Sequence, residues 1–117
     1  MTAANWRWSY SKRGRRHQLR RDKDGVEIYN WRLSDQQMQD FCDAGTAVLS
    51  GRRSRVGEFY SHPLRREGDL HITWLRPHRE PSNMLVSRSD LVEIITAADR
   101  ELLAQELGVS ELVHVSR

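Results

Sequence analysis

Arginine side chains interleaved with aromatic side chains are the feature of this sequence best suited to binding chemistry. All but Lys12 and Lys23 of its 19 basic residues are arginines, whose planar guanidinium groups can bind phosphate oxygens in pairs. Exposed aromatic rings on strands stack on the bases of single-stranded nucleic acid. The candidate phosphate contacts are Arg15, Arg16, Arg20, Arg21, Arg52, Arg53, Arg65 and Arg66, and the candidate stacking residues are Trp8, Tyr10 and Tyr60.

Charges of opposite sign are segregated along the chain. Residues 1–32 and 52–79 are strongly basic, whereas residues 33–51 and 89–117 are acidic, so the formal net charge of +3 hides a large separation. A surface that collects the basic segments would attract polyanions. We therefore predict a non-enzymatic module that binds single-stranded or irregular nucleic acid with little sequence preference. The alternative is a protein-interaction module, a small regulator or inhibitor that docks its basic face on an acidic partner protein.

Histidines provide a minor alternative. The segments His71-Ile72-Thr73-Trp74 and His114-Val115-Ser116-Arg117 each resemble the His-x-Thr/Ser-x element of the two-histidine phosphoesterases. The resemblance implies that the two histidines would act as base and acid on a phosphodiester, as in a small basic phosphodiesterase or ribonuclease. A metal cluster of His62, His71 and His78 would lack the companion ligands of known motifs, so we predict neither a metal nor a cofactor.

Two acidic segments carry the apolar spacing of amphipathic helices. The first is predicted over about 35–49 with Ser34 as its N-cap, and the second over about 90–107 with Ser89 as its N-cap. Apolar residues of the second helix exceed one narrow stripe. The helix 90–107 and the tail 109–115 therefore form a candidate homodimer surface.

The rest of the chain has the alternation and turn residues of strands. Strands are predicted over 6–12, 15–21, 26–32, 56–64, 70–76 and 84–87, with tight turns at Arg13-Gly14 and over 22–25. Similar residues recur in the two halves, which suggests a duplicated strand–strand–helix unit. The order strands–helix–strands–helix favours an α+β fold, in which one antiparallel sheet of about five or six strands carries both helices on one face.

Chain length and cysteine content limit the domain number and the cellular location that can be predicted for this protein. A chain of 117 residues fits a single domain over 1–117, with flexible ends at 1–4 and 109–117. Cys42, the single cysteine, cannot form an intrachain disulfide, and its apolar neighbours predict that it is buried. No apolar run is long enough to cross a bilayer, and the first residues lack the apolar stretch of a secretory signal. We therefore predict a cytoplasmic protein without a membrane partner.

Overall fold

A computed structural model describes residues 6–63, 69–108 and 113–116, which form eight strands and two helices. The elements are β1 (Trp6–Arg13), β2 (Arg16–Lys23), β3 (Val26–Leu33), α1 (Asp35–Leu49), β4 (Ser54–Val56), β5 (Phe59–Pro63), β6 (Asp69–Trp74), β7 (Ser82–Ser87), α2 (Arg88–Glu106) and β8 (Val113–Ser116). The predicted α+β class is confirmed, and the chain follows the predicted order strands–helix–strands–helix as far as α2, after which it adds β8.

The strands form two antiparallel sheets. Sheet 1 has the strand order β3-β2-β1-β8, and sheet 2 has the order β4-β5-β6-β7. Helix α1 packs mainly on β4, β5 and β6 of sheet 2 and also contacts β2 and β3 of sheet 1. Helix α2 packs on β1 of sheet 1, on β7 of sheet 2 and on α1. The prediction of one sheet of about five or six strands is therefore wrong, because the described strands form two sheets of four.

Aromatic side chains separate the two sheets. Trp31 of β3 lies at the centre of this aromatic cluster, with ring centroids 5.5 Å from Trp74, 6.1 Å from Phe59 and 6.2 Å from Phe41. Its indole Nε1 donates a hydrogen bond to Ser82 Oγ of β7 at 2.8 Å. Among the described residues no backbone ladder joins β3 to β7. In the described residues the two sheets therefore meet through side chains.

Two tight hairpins build the meander of β1, β2 and β3, as the turn residues predict. Gly14 has φ of +58° in the two-residue loop between β1 and β2, and Asp24 and Gly25 have φ of +51° and +83° between β2 and β3. Positive φ at such positions matches the right-handed twist of the flanking strands, and glycine adopts it without strain. These turns fix the cross-strand register, which decides the side chains that share each face of sheet 1.

Serine caps begin both helices. Ser34 and Gln37 form a capping box, in which the Ser34 hydroxyl accepts from the Gln37 amide and the Gln37 side chain accepts from the Ser34 amide. The predicted bounds of α1 are thereby confirmed. For α2 the prediction of Ser89 as the cap is wrong, because β7 runs directly into the helix and the Ser87 hydroxyl accepts from the Asp90 amide at 3.2 Å.

The second half of the chain departs further from the prediction. A turn at Gly57, with φ of +55°, divides the predicted strand 56–64 into β4 and β5. Val113–Ser116, predicted to be part of a flexible tail and a dimer surface, pairs with β1 of the same chain as β8. The segments 27–32 and 71–76, matched in the duplication, lie in strands that differ in position, since β3 leads into a helix and β6 leads into β7. The duplication itself stays a prediction.

Candidate nucleic-acid interface

The aromatic stripe at the start of the chain faces the core. Trp8 and Tyr10 have 2% and 0% of their surface exposed, and they share the inner face of sheet 1 with Leu19 and Trp31. Helix α2 packs on β1 and removes this face from solvent. The prediction that Trp8 and Tyr10 stack on bases is therefore wrong.

Arginines occupy the opposite face of the same sheet. Because side chains alternate along a strand, the residues between the buried positions point outward. This outer face carries five exposed arginines, which are Arg7, Arg13, Arg16, Arg20 and Arg32. Residues from three strands thus gather on one surface, although the sequence separates Arg7 from Arg32 by two hairpins.

Three of these side chains converge at the β1–β2 hairpin. Arg13 lies directly opposite Arg16 across the ladder, and Arg32 lies opposite Gln18. Together with Ser11 and His17 these residues line a cleft of about 420 Å³, which we call the arginine cleft. Opposed like charges on neighbouring strands are unfavourable. Within the described chain, none of its three arginines lies within 4 Å of a carboxylate, so their positive charge is not compensated there.

The other end of the outer face is closer to neutral. Arg20 Nε lies 2.9 Å from Asp22 Oδ1 and 3.4 Å from Glu27 Oε1. Arg7 lies opposite Asp22 in the β1–β2 register. Acidic residues of the β2–β3 hairpin therefore offset the arginines at this end, and the field of the face is strongest at the arginine cleft.

The structure disperses the arginines proposed from the sequence. Arg15 is exposed at the tip of the β1–β2 hairpin, and Arg16 and Arg20 lie on the outer face of sheet 1. Arg21 points to the inner face, where its Nη1 lies 3.5 Å from Asp90 Oδ2 of α2 and its guanidinium lies 5.1 Å from the Trp6 ring centroid. A phosphate-contacting role for Arg21 is thus inconsistent with its ion pair and its burial behind Trp6.

The remaining proposed residues belong to the second half of the chain. Arg52 and Arg53 are exposed in the loop between α1 and β4, which is a strand of sheet 2. Tyr60 is half-buried in β5, with its ring 5.6 Å from that of His62. Arg65 and Arg66 lie outside the described residues. The predicted set therefore does not form one surface.

Sequence reasoning missed Arg7, Arg13 and Arg32 as members of the outer face. Arg7 and Arg13 have the strand parity opposite to Trp8 and Tyr10, and Arg32 follows the buried Trp31. These arginines could have been found from the alternation of side chains along each strand, combined with the cross-strand register that the two glycine turns impose.

A buried polar network lies beneath the arginine cleft. The Tyr10 hydroxyl is 2.7 Å from His17 Nδ1, and His17 Nε2 is 2.7 Å from Asp35 Oδ1 at the start of α1. Gln105 of α2 donates to the second oxygen of Asp35. Because the Asp35 carboxylate can only accept, neutral His17 carries its proton on Nε2, and its Nδ1 accepts from the Tyr10 hydroxyl, whose pKa is raised by burial. His17 then donates Nε2–H to Asp35, and the network ties sheet 1 to both helices.

The pH dependence of stability should reveal this network. Burial lowers the pKa of His17 below its ordinary value of 6.5, and this outweighs the opposite effect of the Asp35 hydrogen bond. Below that value the unfolded chain binds more protons than the folded chain, so we expect the free energy of unfolding to fall as the pH drops through this range. Urea denaturation between about pH 5 and pH 8 measures the slope.

A histidine control isolates the contribution of His17. Burial, His71 and Arg53 also lower the pKa of His62, so this residue contributes a slope of the same sign. His17→Gln should flatten the stability profile below about pH 6.5, and His62→Gln should remove a separate part of it. A profile that keeps its full slope in His17→Gln would contradict the assignment.

A second polar cluster lies on the outer face of sheet 2. His62 and His71 are cross-strand neighbours, with Nε2 of His62 3.3 Å from Nδ1 of His71. His71 Nε2 lies 2.9 Å from Asn83 Oδ1, which also accepts a 2.7 Å hydrogen bond from the Thr73 hydroxyl. His114 is in β8 of sheet 1, so the two His-x-Thr/Ser-x elements lie in different sheets. The phosphodiesterase alternative stays a prediction.

An apolar groove lies where the edge strands β3 and β7 diverge. It has a volume of about 470 Å³ and is lined by Trp6, Arg21, Ile28, Tyr29, Asp69, Asn83, Leu85 and Ser87. Trp6, Ile28 and Leu85 are 45%, 52% and 56% exposed. Arg21 and Lys23 place cations over the Trp6 ring, whereas Asp69 and Asp90 bring negative charge to the same region. The groove is consequently apolar with nearly balanced charge.

Other predicted features can be located in the described part of the chain. Cys42 is a buried free thiol whose pKa is raised by burial, which confirms its predicted packing role. Across residues 6–63, 69–108 and 113–116, three or more His, Cys, Asp or Glu side chains nowhere gather closely enough to hold a metal ion. No described helix combines the length and apolar character needed to cross a membrane.

Comparison with known proteins adds no assignment to this geometry. No family model matches the chain, and no curated protein or solved structure is significantly similar to it. Function is therefore inferred from the surfaces themselves.

Proposed function

We propose that this protein is a non-enzymatic module that binds nucleic acid through the outer face of sheet 1. The observation that carries the proposal is the convergence of Arg13, Arg16 and Arg32 on one cleft, without a carboxylate partner among the described residues. Guanidinium groups present donors in a planar fork that matches phosphate oxygens. The hairpin residue Arg15, which is exposed at the tip of the β1–β2 turn, extends this basic surface.

Phosphate contacts, rather than base stacking, support the proposal. With Trp8 and Tyr10 buried, β1, β2 and β3 present no Phe, Trp or Tyr side chain on the outer face of sheet 1. Contacts to the sugar–phosphate backbone fix position without reading sequence. The proposed binding is therefore sequence-tolerant and dominated by charge. A cytoplasmic location belongs to the same proposal, supported by the single, unpaired Cys42.

A salt titration tests this function directly. We expect a labelled single-stranded oligonucleotide to bind with a dissociation constant of roughly 1–100 μM near physiological salt. Because each neutralised phosphate releases counterions, the logarithm of affinity should fall with the logarithm of salt concentration, with a slope of about −2 for three contacts. Fluorescence anisotropy at several NaCl concentrations measures it. Affinity that does not change with salt, or no binding at low salt, would contradict the proposal.

Protein–protein interaction is the second candidate, favoured by exposed apolar side chains. Val92, Leu103 and Leu107 are exposed along α2 and its C-cap, and Ile28 and Leu85 are exposed beside the apolar groove. Leu91 and Ile95 belong to the helix predicted as a dimer surface, but they are buried in the core. A second copy of the chain or an acidic protein would be the partner. The oligonucleotide titration separates the two functions, because neither partner requires binding to nucleic acid.

A further inference from the structure

The arginine cleft concentrates more positive charge than a single backbone phosphate carries in negative charge. We infer that it binds a terminal phosphomonoester of a nucleic-acid strand, so that the protein prefers phosphorylated ends over internal backbone. This inference rests on the proposed function and names the chemical group that the same site takes.

The cross-strand register brings the three arginines to one cleft. Arg13 and Arg16 are the last pair of the β1–β2 ladder before the turn, and directly opposed Cβ atoms lie about 4.5–5.5 Å apart. Arg32 reaches the same cleft from β3, beside Gln18. Long side chains from three adjacent strands can therefore contact one anion together.

The charge of the ligand should match that of the cleft. A phosphodiester carries one negative charge, whereas a phosphomonoester carries about −1.5 to −2 at neutral pH and has three strong acceptor oxygens. Three arginines without described carboxylate partners suit the second group better. A concave site also suits a compact end group more than a continuing chain.

The uneven charge of the outer face argues against a continuous backbone track. A track would need uncompensated arginines along the whole face, but Asp22 and Glu27 offset Arg20 at the far end. A strand held along this face would therefore lose attraction away from the cleft. The charge distribution instead favours a nucleic-acid strand that is held by one end in the arginine cleft.

Polar neighbours of the cleft are already held in place. The Ser11 hydroxyl lies 3.5 Å from Gln18 Oε1, and Gln18 Nε2 donates to Asn30 Oδ1 at 2.9 Å. His17 at the base of the cleft is tied to Tyr10 and to Asp35. The Asp35 carboxylate is thus engaged by His17 and Gln105, and it does not form an ion pair with the arginines of the cleft.

The test compares matched oligonucleotides of one sequence that end in a 5′-phosphate, a 3′-phosphate or hydroxyls only. Fluorescence anisotropy with a label at the opposite end should show roughly tenfold tighter binding of at least one phosphorylated form, as expected for added charge-assisted contacts. Arg16→Gln should abolish the preference. Arg20→Gln, which makes the same change in charge on the same face outside the cleft, should preserve it. Millimolar inorganic phosphate should compete with the phosphorylated end for the cleft and reduce the preference.

Each outcome decides between the two proposals. Equal affinity for all three ends, with a steep salt dependence, would overturn end recognition and leave the proposed function standing. A preference that survives Arg16→Gln would place the end-binding group elsewhere and would also overturn it. Failure of every oligonucleotide to bind at low salt would overturn both proposals. Thermal melting confirms that both variants are folded before affinities are compared.

Discussion

Replacing Trp31 with alanine is expected to lower the free energy of unfolding by about 3–5 kcal/mol, the usual cost of truncating a large buried aromatic residue. Only 1% of Trp31 is exposed, and its ring touches aromatic side chains of β3, α1, β5 and β6. Because the two sheets share no backbone ladder in the described residues, this ring is a principal link between them. Urea denaturation followed by far-ultraviolet circular dichroism measures the loss.

Two control variants separate packing from hydrogen bonding at this position. Ser82→Ala removes only the acceptor of the Trp31 indole and should cost about 1–3 kcal/mol, as a buried donor left unpaired does. Trp31→Phe keeps a ring in the cluster and should fall between wild type and Trp31→Ala. A Trp31→Ala loss no larger than that of Ser82→Ala would show that the aromatic cluster does not hold the sheets together.

Local signals account for the part of the fold that sequence reasoning predicted well. The strands of the first meander follow from alternation, and Gly14, Asp24 and Gly25 adopt the turn conformations that their residue types favour. The first helix begins at a serine whose capping box is complete within four residues. In each case the decisive interactions lie between residues close in sequence, so they can be inferred without knowledge of tertiary contacts.

Tertiary packing decided the features that the sequence did not reveal. Alternation shows that Trp8 and Tyr10 share a face, but it does not say whether that face is solvent-exposed or covered. The covering element is α2, which is distant in sequence and returns to pack on β1. The same long-range return adds β8 to sheet 1. The division into two sheets likewise depends on rings contributed by four separate elements.

Folding also reduces the charge separation that is evident along the chain. Lys12 of β1 is buried 3.6 Å from Glu101 of α2, and Arg21 of β2 contacts Asp90 of the same helix. Basic residues on the inner face of sheet 1 therefore meet the acidic helix, whereas those on the outer face do not. The net charge of each chain segment would not separate these two groups. The alternation of side chains along each strand determines which arginines face outward and remain available.

The available arginines should dominate nucleic-acid binding. We expect the triple variant Arg13→Gln, Arg16→Gln and Arg32→Gln to bind single-stranded oligonucleotide about 100-fold more weakly at low salt, and to reduce the magnitude of the salt slope by about 2, which corresponds to three lost phosphate contacts. Folding should not suffer, because relief of the Arg13–Arg16 repulsion contributes about 0.2–1 kcal/mol in favour of the variant. Fluorescence anisotropy and thermal melting measure the two effects.

A matched variant distinguishes binding at the arginine cleft from attraction by the net charge of the protein. Arg52→Gln, Arg53→Gln and Arg55→Gln together remove the same three charges from exposed positions around β4. If long-range attraction alone drives binding, both triple variants should weaken it equally, because the total charge falls by the same amount. If convergent arginines hold phosphate, only the first should lose most of its affinity and slope. Equal losses would reduce the arginine cleft to one basic patch among several.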